Sequence, residues 1–119
     1  MTWRDDGYFL DMLLAARQIM DFASNLSRES FDESKLHQLA IVRLIEIIGE
    51  AAKNISDQTR NAHPEIEWAN IIGMRNRIVH NYANVDLDIV WDVITIKAPE
   101  LIQQLKAIVP PDDDTPENK

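Results

Sequence analysis

Read for the spacing of its apolar positions, the chain predicts helices almost throughout. Leu10, Leu13, Leu14, Arg17, Ile19 and Met20 follow the three-and-four spacing of a half-buried face, which predicts a first helix from about Asp6 to Leu26. Its acidic start suits the positive end of a helix dipole. A second helix is predicted from a cap at Asp32 to about Ile55, with Phe31 and Leu36 at hydrophobic-staple spacing across the cap. Its centre, Ile41 to Ala52, is apolar around most of its circumference, as a helix buried on more than one side must be. Gly49 in that stretch costs about 1 kcal/mol against alanine, which predicts close approach of another helix backbone.

Ser56 to His63 is polar and ends at Pro64, after which Glu65 to Tyr82 reads as a third helix, with Gly73 marking a second tight crossing. Asp86 is placed to cap a fourth helix from Leu87 to about Val109, which Pro99 should kink or interrupt. No strand alternation and no internal repeat stand out. One helical domain over residues 1–109 is expected. From Pro110 onward the chain turns to acid, threonine and proline with nothing to bury, so 110–119 is expected to be a disordered tail.

Composition narrows the function. A chain of 119 residues makes one core with little to spare, so a deep site calls for a second subunit. The absence of cysteine excludes disulfides, thiolate metal sites and a cysteine nucleophile, and with no signal-peptide pattern or bilayer-length apolar run it points to a reducing cytoplasm. The formal net charge is −8; Asp112, Asp113, Asp114 and Glu117 against Lys119 account for three of those charges, so the body still carries −5. That balance argues against a broad nucleic-acid grip. RNA or DNA would have to sit in a local basic groove, or else the acidic face serves a basic protein partner.

The chemistry is concentrated in Met74-Arg75-Asn76-Arg77-Ile78-Val79-His80-Asn81-Tyr82. Arginine neutralises a phosphorane with a bidentate fork and histidine moves protons near pH 7 without a metal, so a phosphodiester is the natural substrate. On an ideal helix Arg75 and Tyr82 share a face, while His80 lies roughly 140 degrees from Arg75. Either the helix unwinds before His80, or two chains pair so that each completes the other's site; pairing about a two-fold axis near this helix is the favoured alternative. By themselves an arginine and a histidine on a helix are more often surface ion pairs and rim residues.

The wider pattern sharpens the reading. Ile47-Ile48-Gly49-Glu50-Ala51-Ala52, Pro64-Glu65-Ile66-Glu67-Trp68, and Ile72 through Tyr82 followed by Val85-Asp86 and Trp91 resemble the HEPN superfamily, specifically its HepT-like toxins. The resemblance implies an all-α bundle of four or five helices that forms a homodimer and cleaves RNA without a metal or cofactor, with Arg75, Asn76 and His80 at the dimer interface. In that scheme neutral His80 takes the ribose 2'-hydroxyl proton, a symmetric His80 protonates the leaving 5'-oxygen, and Arg75 neutralises the phosphate oxygens. Asn76 orients His80 or a phosphate, and the products are a 2',3'-cyclic phosphate and a 5'-hydroxyl. The resemblance further implies a minimal nucleotidyltransferase antitoxin, MntA-like, that transfers AMP onto Tyr82; the alternative for Tyr82 is a packed ring with its hydroxyl at the water boundary. The rival to a ribonuclease is a non-catalytic module that dimerises and binds that nucleotidyltransferase.

The remaining candidates have plainer readings. Arg77 is a possible RNA contact or a solvated cation. His37 and His63 read as surface histidines, since neither has a partner at metal spacing. Glu46 and Glu50, with Arg43 and Lys53, read as a salt-bridged polar stripe. Trp68 and Trp91 read as core or interface anchors.

Overall fold

A computed structural model describes residues 3–81 and 84–110, with Trp3, His80 and Asn81 placed by their backbone. The chain is an all-α bundle. Helix α1 spans Trp3–Ala23, α2 Arg28–Asp32, α3 Lys35–Asn54, α4 Asp57–Ala62, α5 Trp68–Ile78, α6 Leu87–Asp92 and α7 Ala98–Lys106. Between α5 and α6 lies a minimal antiparallel ladder, β1 Val79–Asn81 with β2 Asn84–Val85, in which Val79 faces Val85. Residues 111–119, which hold almost all of the expected tail, lie outside the described residues.

The core forms where α1 packs along α3, with α5 on the other side of α3 and α7 against α1. From α1 it takes Phe9, Met12, Leu13, Ala16 and Ile19; from α3 it takes Ile41, Leu44, Ile45, Ile48 and Ala52. Leu10 and Leu14, expected on the buried face, are instead 42% and 49% exposed. Leu13 and Ile19 are buried as expected, and Phe9, Met12 and Ala16 complete the buried stripe in place of Leu10 and Leu14.

The second expected helix is two. Asp32 closes α2 rather than capping α3, and Leu36 is 77% exposed, so the expected staple is not made. Serines do the capping: Ser27 forms a capping box with Ser30, and Ser34 Oγ accepts from the His37 amide to start α3. The buried Gln38 amide then donates to the carbonyls of Phe31 and Asp32, both at 3.0 Å, at the end of α2, where the Phe31 carbonyl also accepts from the Ser34 amide at 3.1 Å. Arg28 ties this corner to α6 through Asp32 at 2.8 Å and Asp88 at 2.6 Å, and its guanidinium is held above its usual range by Asp88 first and Asp32 second.

Ser56–His63, read as a polar break, is helix α4, capped by Ser56. The carboxylate of Asp5, only 3% exposed, accepts from the Ser56 amide, Ser56 Oγ and Thr59 Oγ1 at 3.1, 2.9 and 2.7 Å, pinning the start of α1 to the start of α4. Helix α5 begins at Trp68 rather than Glu65. The turn before it is held by Trp68 Nε1, which donates to the carbonyls of Arg60 and His63 at 3.1 and 3.0 Å, while the indole meets Phe9 edge-on. Trp91 packs on Phe31, so both tryptophans are anchors within the chain.

Asp86 caps α6 as expected, its Oδ1 accepting from the amides of Asp88 and Ile89. The long fourth helix is not simply kinked at Pro99. A π-helical turn, Val93–Lys97, joins α6 to α7, and the Ala98 amide reaches back to the Val93 carbonyl. Pro99 then falls in the first turn of α7, where its missing N–H costs no hydrogen bond.

Candidate active site

The site is set by how α5 meets α3. A Cβ at Gly49 would lie 3.2 Å from the Ile71 carbonyl oxygen and 3.7 Å from that of Ile72, so the glycine admits the backbone of α5 directly onto α3, as its place in the sequence predicts. Gly73 is different: among the described residues a Cβ there would meet nothing within 4 Å, and the second expected crossing is not made among them.

This close contact leaves a groove of about 570 Å³ between the two helices, with Ile45, Gly49 and Ile71 beneath and Glu46, Glu50, Lys53, Gly73, Arg75 and Asn76 around it. Arg75 crosses to α3, where its Nε donates to Glu46 Oε2. The other carboxylate oxygen of Glu46 accepts from Arg43 Nη1 at 3.4 Å, and the same nitrogen lies 3.9 Å from Glu50. Arg75 is 56% exposed at its side chain and Glu46 only 21%, so the cation projects from the groove while its counterion is half buried. Asn76, exposed, lines the same groove.

Arg77 is turned away. Two positions along the helix amount to roughly 200 degrees, which carries it to the opposite side of α5. There its Nη1 donates to Asn70 Oδ1 and it lines a broader depression of about 930 Å³ with Trp68, Ile89, Asp92 and Lys97. The structure thus brings Arg75 and Asn76 together and separates Arg77 from both.

After Ile78 the backbone leaves the helical path, Val79–Asn81 runs extended, and the Asp86 amide donates to the Ile78 carbonyl at 2.8 Å. His80 is therefore on a strand, so unwinding, the less favoured of the two alternatives, is what happens within one chain. Tyr82 lies outside the described residues.

Neither of the other histidines is a free surface group. His37 Nδ1 is 2.6 Å from Ser34 Oγ at the start of α3, and the half-buried His63 stands edge-on to Phe9 and 3.4 Å from Glu65. Among the described residues no three His, Asp or Glu side chains are grouped to hold a metal ion. No helix among them is long and apolar enough to cross a membrane.

Glu46 is salt-bridged to Arg43, as its place in the polar stripe predicts, but sequence reasoning missed its second partner, Arg75. A signal was present: Glu46 lies one turn before Gly49 on the face of α3 that the glycine opens to α5, so a cation on the far turn of α5 would pass it.

An all-α bundle in which an exposed arginine and amide end a helix, with a histidine just beyond on an extended segment, has the architecture of a HEPN-type domain. Comparison with known proteins specifies it further. Residues 12–108 match the family described as ribonuclease HepT-like. A protein described as a probable ribonuclease HepT of Thermococcus cleftensis is 36% identical over 94 residues, covering 79% of this chain and 86% of its own. A candidate RNase of Caldanaerobacter subterraneus is 34% identical over 102 residues, covering 86% and 91%, and another of Methanocaldococcus jannaschii is 29% identical over 102 residues, covering 86% and 84%. No solved structure matches. The chain belongs to the HepT-like family.

Proposed function

We propose that this protein is a metal-independent endoribonuclease, the toxin of a type VII HEPN/MNT toxin–antitoxin pair, acting as a homodimer on RNA. The observation that carries the proposal is the groove end of α5, where Arg75 and Asn76 face outward together and the helix stops just before His80. In this reading Arg75 offers its terminal nitrogens to the phosphodiester, His80 takes the 2'-hydroxyl proton, and the 5'-oxygen leaves with a proton from the second His80 of the dimer. Asn76 orients His80 or a phosphate oxygen. Arg77 contacts RNA only where a strand wraps round the end of α5.

The control would be covalent. A nucleotidyltransferase antitoxin transfers AMP to the Tyr82 hydroxyl with loss of pyrophosphate from ATP, and the added bulk and negative charge occupy the place of the substrate phosphate. One observation favours the rival reading, a non-catalytic module for that same partner: the body remains acidic, and Glu46 and Glu50 stand beside the groove.

The discriminating experiment is cleavage of a labelled RNA in EDTA by protein expressed without its partner, comparing wild type with His80→Ala. Cleavage by wild type alone, leaving cyclic-phosphate ends, supports the ribonuclease. Equal traces from the two, with intact mass showing Tyr82 unmodified, would transfer the assignment to the interaction module. After co-expression with the nucleotidyltransferase, intact mass should rise by whole AMP units and Tyr82→Phe should abolish the rise.

A further inference from the structure

Arginine has one nitrogen, Nε, within the side chain and two, Nη1 and Nη2, at its tip, and it grips an oxyanion either side-on through Nε and one Nη or end-on through both Nη; once Nε is engaged, the end-on fork at the tip remains. In this groove Glu46 takes the Nε–H of Arg75 and, among the described residues, the tip nitrogens carry no hydrogen bond. Glu46 is itself held from the other side, its second oxygen accepting from Arg43 at 3.4 Å. A half-buried carboxylate shared between two guanidinium groups is held in position from both sides. An arginine at a helix surface would otherwise sample many rotamers, and ordering it only when substrate arrives would be paid for in rate.

We propose that Glu46 is the positioning residue of Arg75: its carboxylate clamps the guanidinium through Nε and presents the two tip nitrogens to a phosphodiester in the α3–α5 groove, while Arg43 holds the clamp in place. The inference rests on the ribonuclease reading above and adds to it a residue on another helix. A carboxylate this close could instead act as a competing anion that masks Arg75 until displaced. The two roles have opposite consequences, since removing a mask releases the arginine and removing a clamp misplaces it.

The test is a double-mutant cycle on the full chain with Glu46→Ala, Arg75→Ala and the pair, read by single-turnover cleavage of a labelled RNA. Glu46→Ala should lower the rate at saturating RNA by roughly 10- to 100-fold with the half-saturating concentration changed by less than about 3-fold, because the loss falls on the transition state. Glu46→Gln should recover most of the rate, its amide oxygen still accepting from Nε. On the Arg75→Ala background the alanine at 46 should cost nothing further. A faster Glu46→Ala enzyme, or losses that simply add, overturns the clamp.

A second readout does not depend on cleavage. In protein labelled with ¹⁵N-arginine, the Arg75 Nε–H signal should be resolved and slow to exchange in wild type and Glu46→Gln, and lost in Glu46→Ala. An unprotected signal in wild type overturns the clamp even if RNA is cut. A protected signal in a protein that neither cuts RNA nor binds a 2'-O-methyl analogue refutes the ribonuclease and, with it, the task assigned to Glu46.

Discussion

Gly49→Ala sets two calculable effects against each other. Alanine is worth about 1 kcal/mol more than glycine in a helix interior, so at a free position the substitution stabilises. At Gly49 the new methyl would stand 3.2 Å from the Ile71 carbonyl oxygen, with Ile72 O at 3.7 Å and Ile72 Cα at 3.8 Å. All three are backbone atoms of α5 and cannot rotate aside, so the helix itself must move by a few tenths of an ångström. Overpacking of this kind costs about 1–3 kcal/mol, which leaves a net loss of about 1 kcal/mol once the helix gain is subtracted. For a chain of this size that corresponds to a fall in Tm of roughly 3–6 °C. Gly73 supplies the control, because nothing among the described residues lies within 4 Å of its Cβ position and Gly73→Ala should realise the full helix gain of about 1 kcal/mol. The assay is thermal and urea unfolding followed by helical circular dichroism, at one protein concentration because a dimer's stability depends on it. Equal stabilisation by the two alanines would refute the argument that Gly49 is required by the α3–α5 contact. A Gly73→Ala protein that is destabilised only where it dimerises would show that a second chain occupies the open side of α5.

Other substitutions separate the parts of the site. Arg75→Ala should reduce cleavage by about 100-fold or more, whereas Arg77→Ala, on the other side of α5, should change the rate by less than about 5-fold and act mainly through RNA affinity and its salt dependence. Asp86→Ala removes the side chain that caps α6 at the foot of the β1–β2 ladder, and should cost about 1 kcal/mol in urea unfolding. Trp68→Phe keeps the ring against Phe9 but removes the indole donor shared by the Arg60 and His63 carbonyls, which retain the amides of His63 and Ile66, with an expected loss of about 1 kcal/mol by the same measurement.

The comparison between sequence and structure is most instructive where a residue's role depends on something distant in the chain. Asp86 was legible as a cap because a cap is read from its own neighbours, and the all-helical class followed from periodicity that needs no partner. The serine caps at 27, 34 and 56 were open to the same reasoning, but Asp32 beside Phe31 offered a rival signal, and only the burial of Phe31 and the bonds of Gln38 decide that the helix breaks there. Leu10 and Leu14 show the limit of periodicity, which identifies a stripe to within about one residue while the facing helix selects among neighbours.

The candidate site divides along the same line. Sequence alone determined which groups are present and how far apart they lie along the chain: a fixed cation at 75, an amide at 76, an imidazole at 80 and a phenol at 82, in an order that resembles one family. It also marked Gly49 as a place where a backbone must approach, since glycine's helix cost requires a local reason. The tertiary structure decided which backbone that was, that Gly73 has no such neighbour among the described residues, that Arg77 faces away from Arg75, and that Glu46 is the partner of Arg75. Local hydrogen bonding and helix geometry act over a few residues and are written in the sequence in order. A contact between positions 46 and 75 exists only once two helices have chosen their crossing, and that choice is made by the whole core.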